Sequence, residues 1–381
     1  MSSTSAKPPQ PASRKLKDLF DATLVQAIAA ELSRAHPVFD AVAFTQSSLT
    51  GLTDLELTAR GWQLAEAMQR HLPQPFARAA EVLIASLGAE VRSPDELGLN
   101  ALRYMPHVFF VQRYGLDDFE VAMRVQYELT KRFSAESSIR PFLVKYPEAT
   151  YQRLVEWTCD PNLHVRRLVS EGTRPRLPWA TRLRAFQENP RPVLALLELL
   201  KDDPERYVQR SVANNLNDIG KDHPEMVVET CRRWSSGAPP ARQWVVRHAL
   251  RSLVKQGHAG ALTVLGVGRR PEICISAVRV APSSVRIGED LRFSFSLSSS
   301  ASKQQDLVVD YAVHFVKANG AARPKVFKLK RLTLAPRSSA ELRGKVSFQA
   351  MTTRRHHSGR HRIELRVNGV AYPLLEVELK A

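Results

Sequence analysis

The sequence predicts an all-α HEAT-like repeat solenoid followed by an all-β immunoglobulin-like sandwich. Apolar residues recur at three- and four-residue spacing from about Leu16 to Val267, and the period falls to two after Gly268. Within the helical region a short pattern returns after 43 and then 38 residues, close to the period of stacked two-helix repeats.

The elements follow in order. Residues 1–14 are rich in Ser, Pro, Ala and Gln and read as a disordered tail. Residues 15–268 read as the repeat domain. Stretches such as Leu24–Leu32 and Val193–Leu200 place good helix formers between apolar positions. Asp160-Pro161-Asn162, Asp202-Asp203-Pro204 and Asp222-His223-Pro224 each stop one helix and cap the next. Residues 269–381 read as six or seven short strands, including Ile273–Ile275, Leu291–Leu297, Leu307–Phe315, Val326–Leu329, His361–Val367 and Leu374–Leu379. Turn residues separate them, with Asn319-Gly320 and Asn368-Gly369 the strongest hairpin signals. With Cys274 alone, this sandwich cannot hold an inter-sheet disulfide.

Charge narrows the partner. The 381 residues carry 55 Lys and Arg against 38 Asp and Glu, a net charge of +17. Residues 269–381 hold 21 basic and 9 acidic residues, so the sandwich supplies +12 of that excess. Such an imbalance favours a polyanion, because phosphate contacts release condensed counterions whatever the base sequence. The densest stretch runs from Arg354 to Arg362 and is expected to form a hairpin tip, with Arg354, Arg355 and Arg360 on phosphate or in a groove. The three cysteines are far apart and form no C-x-x-C pair, which fits a reducing cytoplasm and argues against zinc. No apolar run reaches the roughly 20 residues that span a bilayer, so no membrane is expected.

The repeated pattern aligns Asp160 to Val169 with Asp203 to Val212, and again with Trp244 to Leu250. Its valines belong to the core. The basic residues beside them, Arg166 or Arg167, Arg210 and Arg247, lie one repeat apart, suited to a ladder along a concave wall. They suit equally a structural bond to the Asp of a neighbouring repeat, and the spacing leaves both roles open. Acids near the same spacing are harder to explain on a phosphate-binding face. Glu136, Glu171 and Asp218 follow one another at 35 and 47 residues, which would set them about one helix-packing distance apart, on the order of 8–10 Å. After Glu171 the helix ends at Gly172. Pro175 and Pro178 then fix a loop in which Arg174 and Arg176 can meet phosphates and Trp179 offers a flat face to a base or sugar.

The string from Asp160 to Trp179, with its Glu-Gly-Thr-Arg-Pro-Arg-Leu-Pro-Trp core, resembles the signature of the AlkC branch of the AlkC/AlkD DNA alkylation repair glycosylases. Phe133 to Phe142 resembles a second block of that family, with Ser137-Ser138 in place of a more apolar pair. The resemblance implies a monofunctional glycosylase that excises cationic bases such as N3-methylcytosine and N3-methyladenine without fully extruding them, unlike most glycosylases. It carries Glu136 and Glu171 over as catalytic acids, Asp218 as a third, and Trp179 as the family's aromatic position. The implied partner is double-stranded DNA containing alkylated bases, met by a monomer in the cytoplasm at the nucleoid, with no cofactor and no metal. No Walker loop, G-x-G-x-x-G or H-E-x-x-H motif is present in the sequence. The rival is a non-catalytic HEAT-repeat scaffold that binds nucleic acid or an acidic protein, which fits period and charge but not the recurring acids.

Overall fold

A computed structural model describes residues 15–267, 270–351 and 354–381. The predicted tail and Gly268, at the predicted change of period, lie outside them. Among the described residues sixteen α-helices precede eight β-strands. The helices are α1 (Ala22–Ala35), α2 (Ala41–Leu49), α3 (Leu57–His71), α4 (Phe76–Ser86), α5 (Met105–Tyr114), α6 (Phe119–Thr130), α7 (Ile139–Lys145) and α8 (Pro147–Trp157). There follow α9 (Leu163–Gly172), α10 (Arg184–Glu188), α11 (Arg191–Leu200), α12 (Arg206–Ile219), α13 (Pro224–Ser235), α14 (Pro240–Ala249), α15 (Arg251–Gln256) and α16 (Ala259–Val264). The predicted breaks fall between helices for the expected reason. Asn162 accepts the His164 amide at 2.8 Å to cap α9, Asp203 accepts the Glu205 amide at 2.9 Å ahead of α12, and Pro224 opens α13.

The chain divides into two compact units, Met1–Asn215 and Leu216–Ala381, with the boundary inside α12. In the first, each helix packs on others close to it in the chain: α1 on α2 and α4, α3 on α5, α4 on α6, and α9 on α6, α8 and α11. This near-neighbour pattern is that of stacked repeats, where every element buries its apolar stripe on the next. The repeat valines Val165 and Val208 are fully buried, and Val246 of the second unit is buried as well.

The second unit holds α13 to α16 and the sandwich. Its strands are β1 (Ile273–Ala281), β2 (Val285–Arg286), β3 (Asp290–Ser299), β4 (Gln305–Val316), β5 (Ala322–Leu334), β6 (Ser339–Ser347), β7 (Gly359–Val367) and β8 (Val370–Lys380). They form a three-stranded sheet in the order β1-β3-β6 and a five-stranded sheet in the order β2-β8-β7-β4-β5. Alternate residues Leu291, Phe293, Phe295 and Leu297 of β3 face Val309, Tyr311, Val313, Ile363 and Leu365 in one core. The strand pattern overlooks β6, which has few apolar residues. Its Gly344 leaves the space filled by the Phe293 ring, where a Cβ would fall 2.1 Å from Cζ.

Asn368 and Gly369, with φ of 48° and 80°, make the predicted β7–β8 hairpin turn. That turn rests on Gly257, which ends α15 with φ 79°. A Cβ on Gly369 would fall 2.4 Å from the Gly257 Cα. Nearby, Arg331 Nη2 donates to the Leu265 carbonyl at 2.8 Å.

The stretch Arg354–Arg362 is not a hairpin tip. β6 and β7 lie in different sheets, so the chain crosses between them here, and Gly359 to Arg362 already belong to β7. His356 and His361 turn inward, their rings 5.6 and 5.9 Å from that of Phe315. Burial pushes both imidazoles below the ordinary histidine pKa, so they pack as neutral rings.

Candidate active site

Arg167 and Glu171 lie four residues apart on α9 and so share a face. Glu136 enters from the turn ahead of α7. Arg167 bridges the two acids, with Nη1 2.9 Å from Glu136 Oε2 and Nη2 3.6 Å from Glu171 Oε1, and it also donates to Ser134 Oγ at 3.2 Å. Two of the three predicted acids, from different repeats, are thus brought to one guanidinium.

Glu171 is only 6% exposed. Arg174 Nη1 lies 2.6 Å from its Oε1, and Ser211 of α12 donates to its Oε2 at 2.5 Å. Burial disfavours its charge, but Arg167, Arg174 and the Ser211 hydroxyl outweigh that penalty and hold its pKa below the usual carboxylate value. The carboxylate is therefore ionised at neutral pH. Burial likewise opposes the charge on Arg167, and Glu136 and Glu171 more than offset it.

Arg140 of α7 anchors the loop beyond Glu171. Its buried guanidinium donates to the carbonyls of Thr181 at 2.7 Å, Gly172 at 2.8 Å and Arg174 at 2.9 Å, holding both ends of the segment. At its tip Trp179 is 91% exposed with φ 62°. A non-glycine residue in this region costs on the order of 1–3 kcal/mol and persists only where its surroundings enforce it. Arg176 is turned toward the Gln187 amide, 3.1 Å from Nε and 3.0 Å from Nη2 when the amide oxygen faces it.

The other predicted residues stand apart in character. Asp218, in the second unit, is buried with Lys221 Nζ 2.7 Å from its Oδ1. Arg210 and Arg247 are exposed on α12 and α14. Arg166 takes the structural role: its Nε and Nη2 meet the buried Asp203 at 2.6 and 3.2 Å, one repeat away. In the sandwich Arg354 lies 4.1 Å over the Phe315 ring, Arg355 is exposed, and Arg360 sits 3.5 Å from Glu376. Among the described residues no group of three or more His, Cys, Asp or Glu is placed to hold a metal, and no helix is long and apolar enough to cross a membrane.

Sequence reasoning overlooked Ser211, Tyr207 and Arg140. Ser211 carried a signal, since the repeat alignment puts this polar residue opposite Leu168, at an apolar position. Tyr207 aligns with His164 in the same way.

These features define a helical-repeat protein that gathers acids from different repeats and continues into an immunoglobulin-like module. Residues 132–253 match the family model described as DNA alkylation repair enzyme, and residues 274–381 match that of the YhaZ C-terminal Ig-like domain. The chain is 32% identical over 365 residues to the Bacillus subtilis (strain 168) protein named "Uncharacterized protein YhaZ", covering 96% of this chain and 99% of that one. It also resembles the solved structure of Pseudomonas fluorescens alkylpurine DNA glycosylase AlkC bound to DNA containing an abasic site analog. The TM-score is 0.89 at 38% identity, over 97% of this chain and 100% of that one. The chain belongs to the AlkC-type branch of the DNA alkylation repair family.

Proposed function

We propose that this chain is a monofunctional DNA glycosylase that hydrolyses the N-glycosidic bond of N3-alkylated bases, N3-methylcytosine and N3-methyladenine, in duplex DNA. The observation that carries this reading is the ionised Glu171, held beside Glu136 around Arg167.

An N3-alkylated base is already cationic and leaves with the bonding pair as a neutral molecule, so it needs little help from a general acid. The sugar left behind develops oxocarbenium character, and a fixed carboxylate opposes that charge. Water then adds at the anomeric carbon and gives up its proton, which Glu171 is suited to accept. Glu136 supports the charge and Asp218 acts as a third electrostatic or orienting group. Trp179 presents its indole to the base or sugar. Arg176, Arg210 and Arg247, with Arg354, Arg355 and Arg360 of the sandwich, meet phosphates, while Arg174 stays on Glu171. Arg167, bound to both acids, contributes chiefly by fixing them.

The test is to incubate the full chain with dimethyl-sulfate-treated duplex and separate the free bases by chromatography. N3-methyl bases are expected, and Glu171→Gln is expected to slow their release by about a hundredfold or more while still binding DNA. Release by this variant at the parental rate would show the assigned role to be wrong. A parental chain that binds methylated duplex and frees no base would instead be a scaffold.

A further inference from the structure

Arg167 can serve two acids only if its guanidinium is held in place, since Glu136 meets its Nη1 and Glu171 its Nη2. Tyr207, at the start of α12, meets it as well: the Arg167 guanidinium carbon lies 5.0 Å from the Tyr207 ring centroid, within cation–π range. Behind Tyr207 stands His164, the residue that aligns with it one repeat earlier, edge-on at 5.5 Å and 72°. His164 is buried, and among the described residues its two ring nitrogens have no hydrogen-bond partner. Its pKa is pushed down to about 4, first by burial and then by Arg167, with Glu96 opposing. It is therefore a neutral ring, and packing is what it offers.

We infer that Tyr207 is a positioning residue: backed by the His164 ring, its face holds the Arg167 guanidinium between Glu136 and Glu171. The inference rests on the glycosylase reading for its meaning in catalysis, but not for its geometry. The charged groups that bear on Glu171 here are Arg167 and Arg174, and the titratable Tyr207 hydroxyl lies close enough to interact with Arg167 and both acids. Of these, Arg167 is the one in contact with the tyrosine ring. Loss of the ring should loosen Arg167 and let the Glu171 pKa rise toward its ordinary value.

The experiment compares the full-length parent with Tyr207→Phe and Tyr207→Leu by two readouts. One is the pH dependence of single-turnover base release from methylated duplex. The other is the NMR titration of the Glu171 side-chain carboxyl, assigned with Glu171→Gln, which requires no activity. Tyr207→Phe keeps the ring and loses only the hydroxyl, which also interacts with Arg167, so it is expected to stay much nearer the parent than Tyr207→Leu. Tyr207→Leu is expected to slow release by about tenfold or more in the single-turnover rate at saturating protein rather than in the half-saturating concentration, with the acid limb and the Glu171 titration both moved to higher pH. A Leu variant with parental rate, acid limb and titration overturns the inference, as does a Phe variant impaired as severely as the Leu one. Should Tyr207→Leu fail to fold, His164→Leu removes the backing ring without touching either acid, and an unmoved Glu171 titration then overturns it. If the parent frees no base the glycosylase reading falls, and the carboxyl titration still decides the role of Tyr207.

Discussion

Residues 166–176 and 354–362 are the two arginine-rich stretches of the molecule, and they handle charge in different ways. On α9 and the loop after it, Arg166, Arg167 and Arg174 are all within ion-pair distance of carboxylates. Their charge is engaged locally, and around Glu171 its effect is to keep a buried acid ionised. In the sandwich, basic residues outnumber acids by more than two to one, Arg355 is exposed, and the histidines His356 and His361 fill the core. Positive charge in the first region organises buried negative charge, whereas in the second the paired arginines, Arg360 and Arg362, are themselves largely exposed. Arginine density alone does not separate these uses; the acids one repeat away do.

The contrast can be broken most directly at Arg166. Arg166→Ala leaves the buried Asp203 carboxylate without its partner and is expected to lower stability by about 4 kcal/mol in a denaturant titration. Arg360→Ala, whose pair with Glu376 is exposed on both sides, should give no measurable change. Equal losses at the two sites would erase the distinction.

Acid should act on the helical region next. Burial and Arg103 push His107 down to about 3. Folded His107 therefore stays neutral while the unfolded chain takes up a proton near 6.5, so stability is intact above pH 6.5 and is lost as pH falls. The loss is about 3 kcal/mol by pH 4. Melting temperatures recorded from pH 7 to 4 should drop less steeply for His107→Leu than for the parent; parallel curves would contradict the assignment. The smallest effect is expected in the sandwich, where Arg355→Ala should leave stability unchanged. It should weaken duplex binding and lower the salt slope by about one. A slope equal to that of the parent would remove Arg355 from the interface.

Much of this was legible in the chain because it is local or periodic. The helix stops at Asn162 and Pro224, the Asn368-Gly369 turn, the core valines and the acids Glu136 and Glu171 are all set by short-range chemistry or by the repeat. What escaped depends on contacts between distant segments. Ser211 meets Glu171 from 40 residues away, and Arg140 reaches across to Thr181, 41 residues on. A charged string read as a surface tip proved to cross between sheets because His356 and His361 are neutral rings that fit an aromatic core. Arg166 and Arg167 are neighbours in one helical turn, and only the acid each one faces tells the structural cation from the one at the site.

The seat of Gly369 on Gly257 bears on how this protein can be taken apart. Secondary structure changes between Val264 and Ile273, which invites a cut there when one half is to be studied or transplanted. Yet backbone meets backbone across that point, with no side chain to adjust when one face is removed. A truncation near residue 270 removes the strands and uncovers the end of α15, so lost DNA affinity in such a fragment would mix two causes. Point substitutions on the outer faces of the strands keep the joint whole and are the cleaner tool. For a graft, the compact unit begins at Leu216 and carries its helices with it.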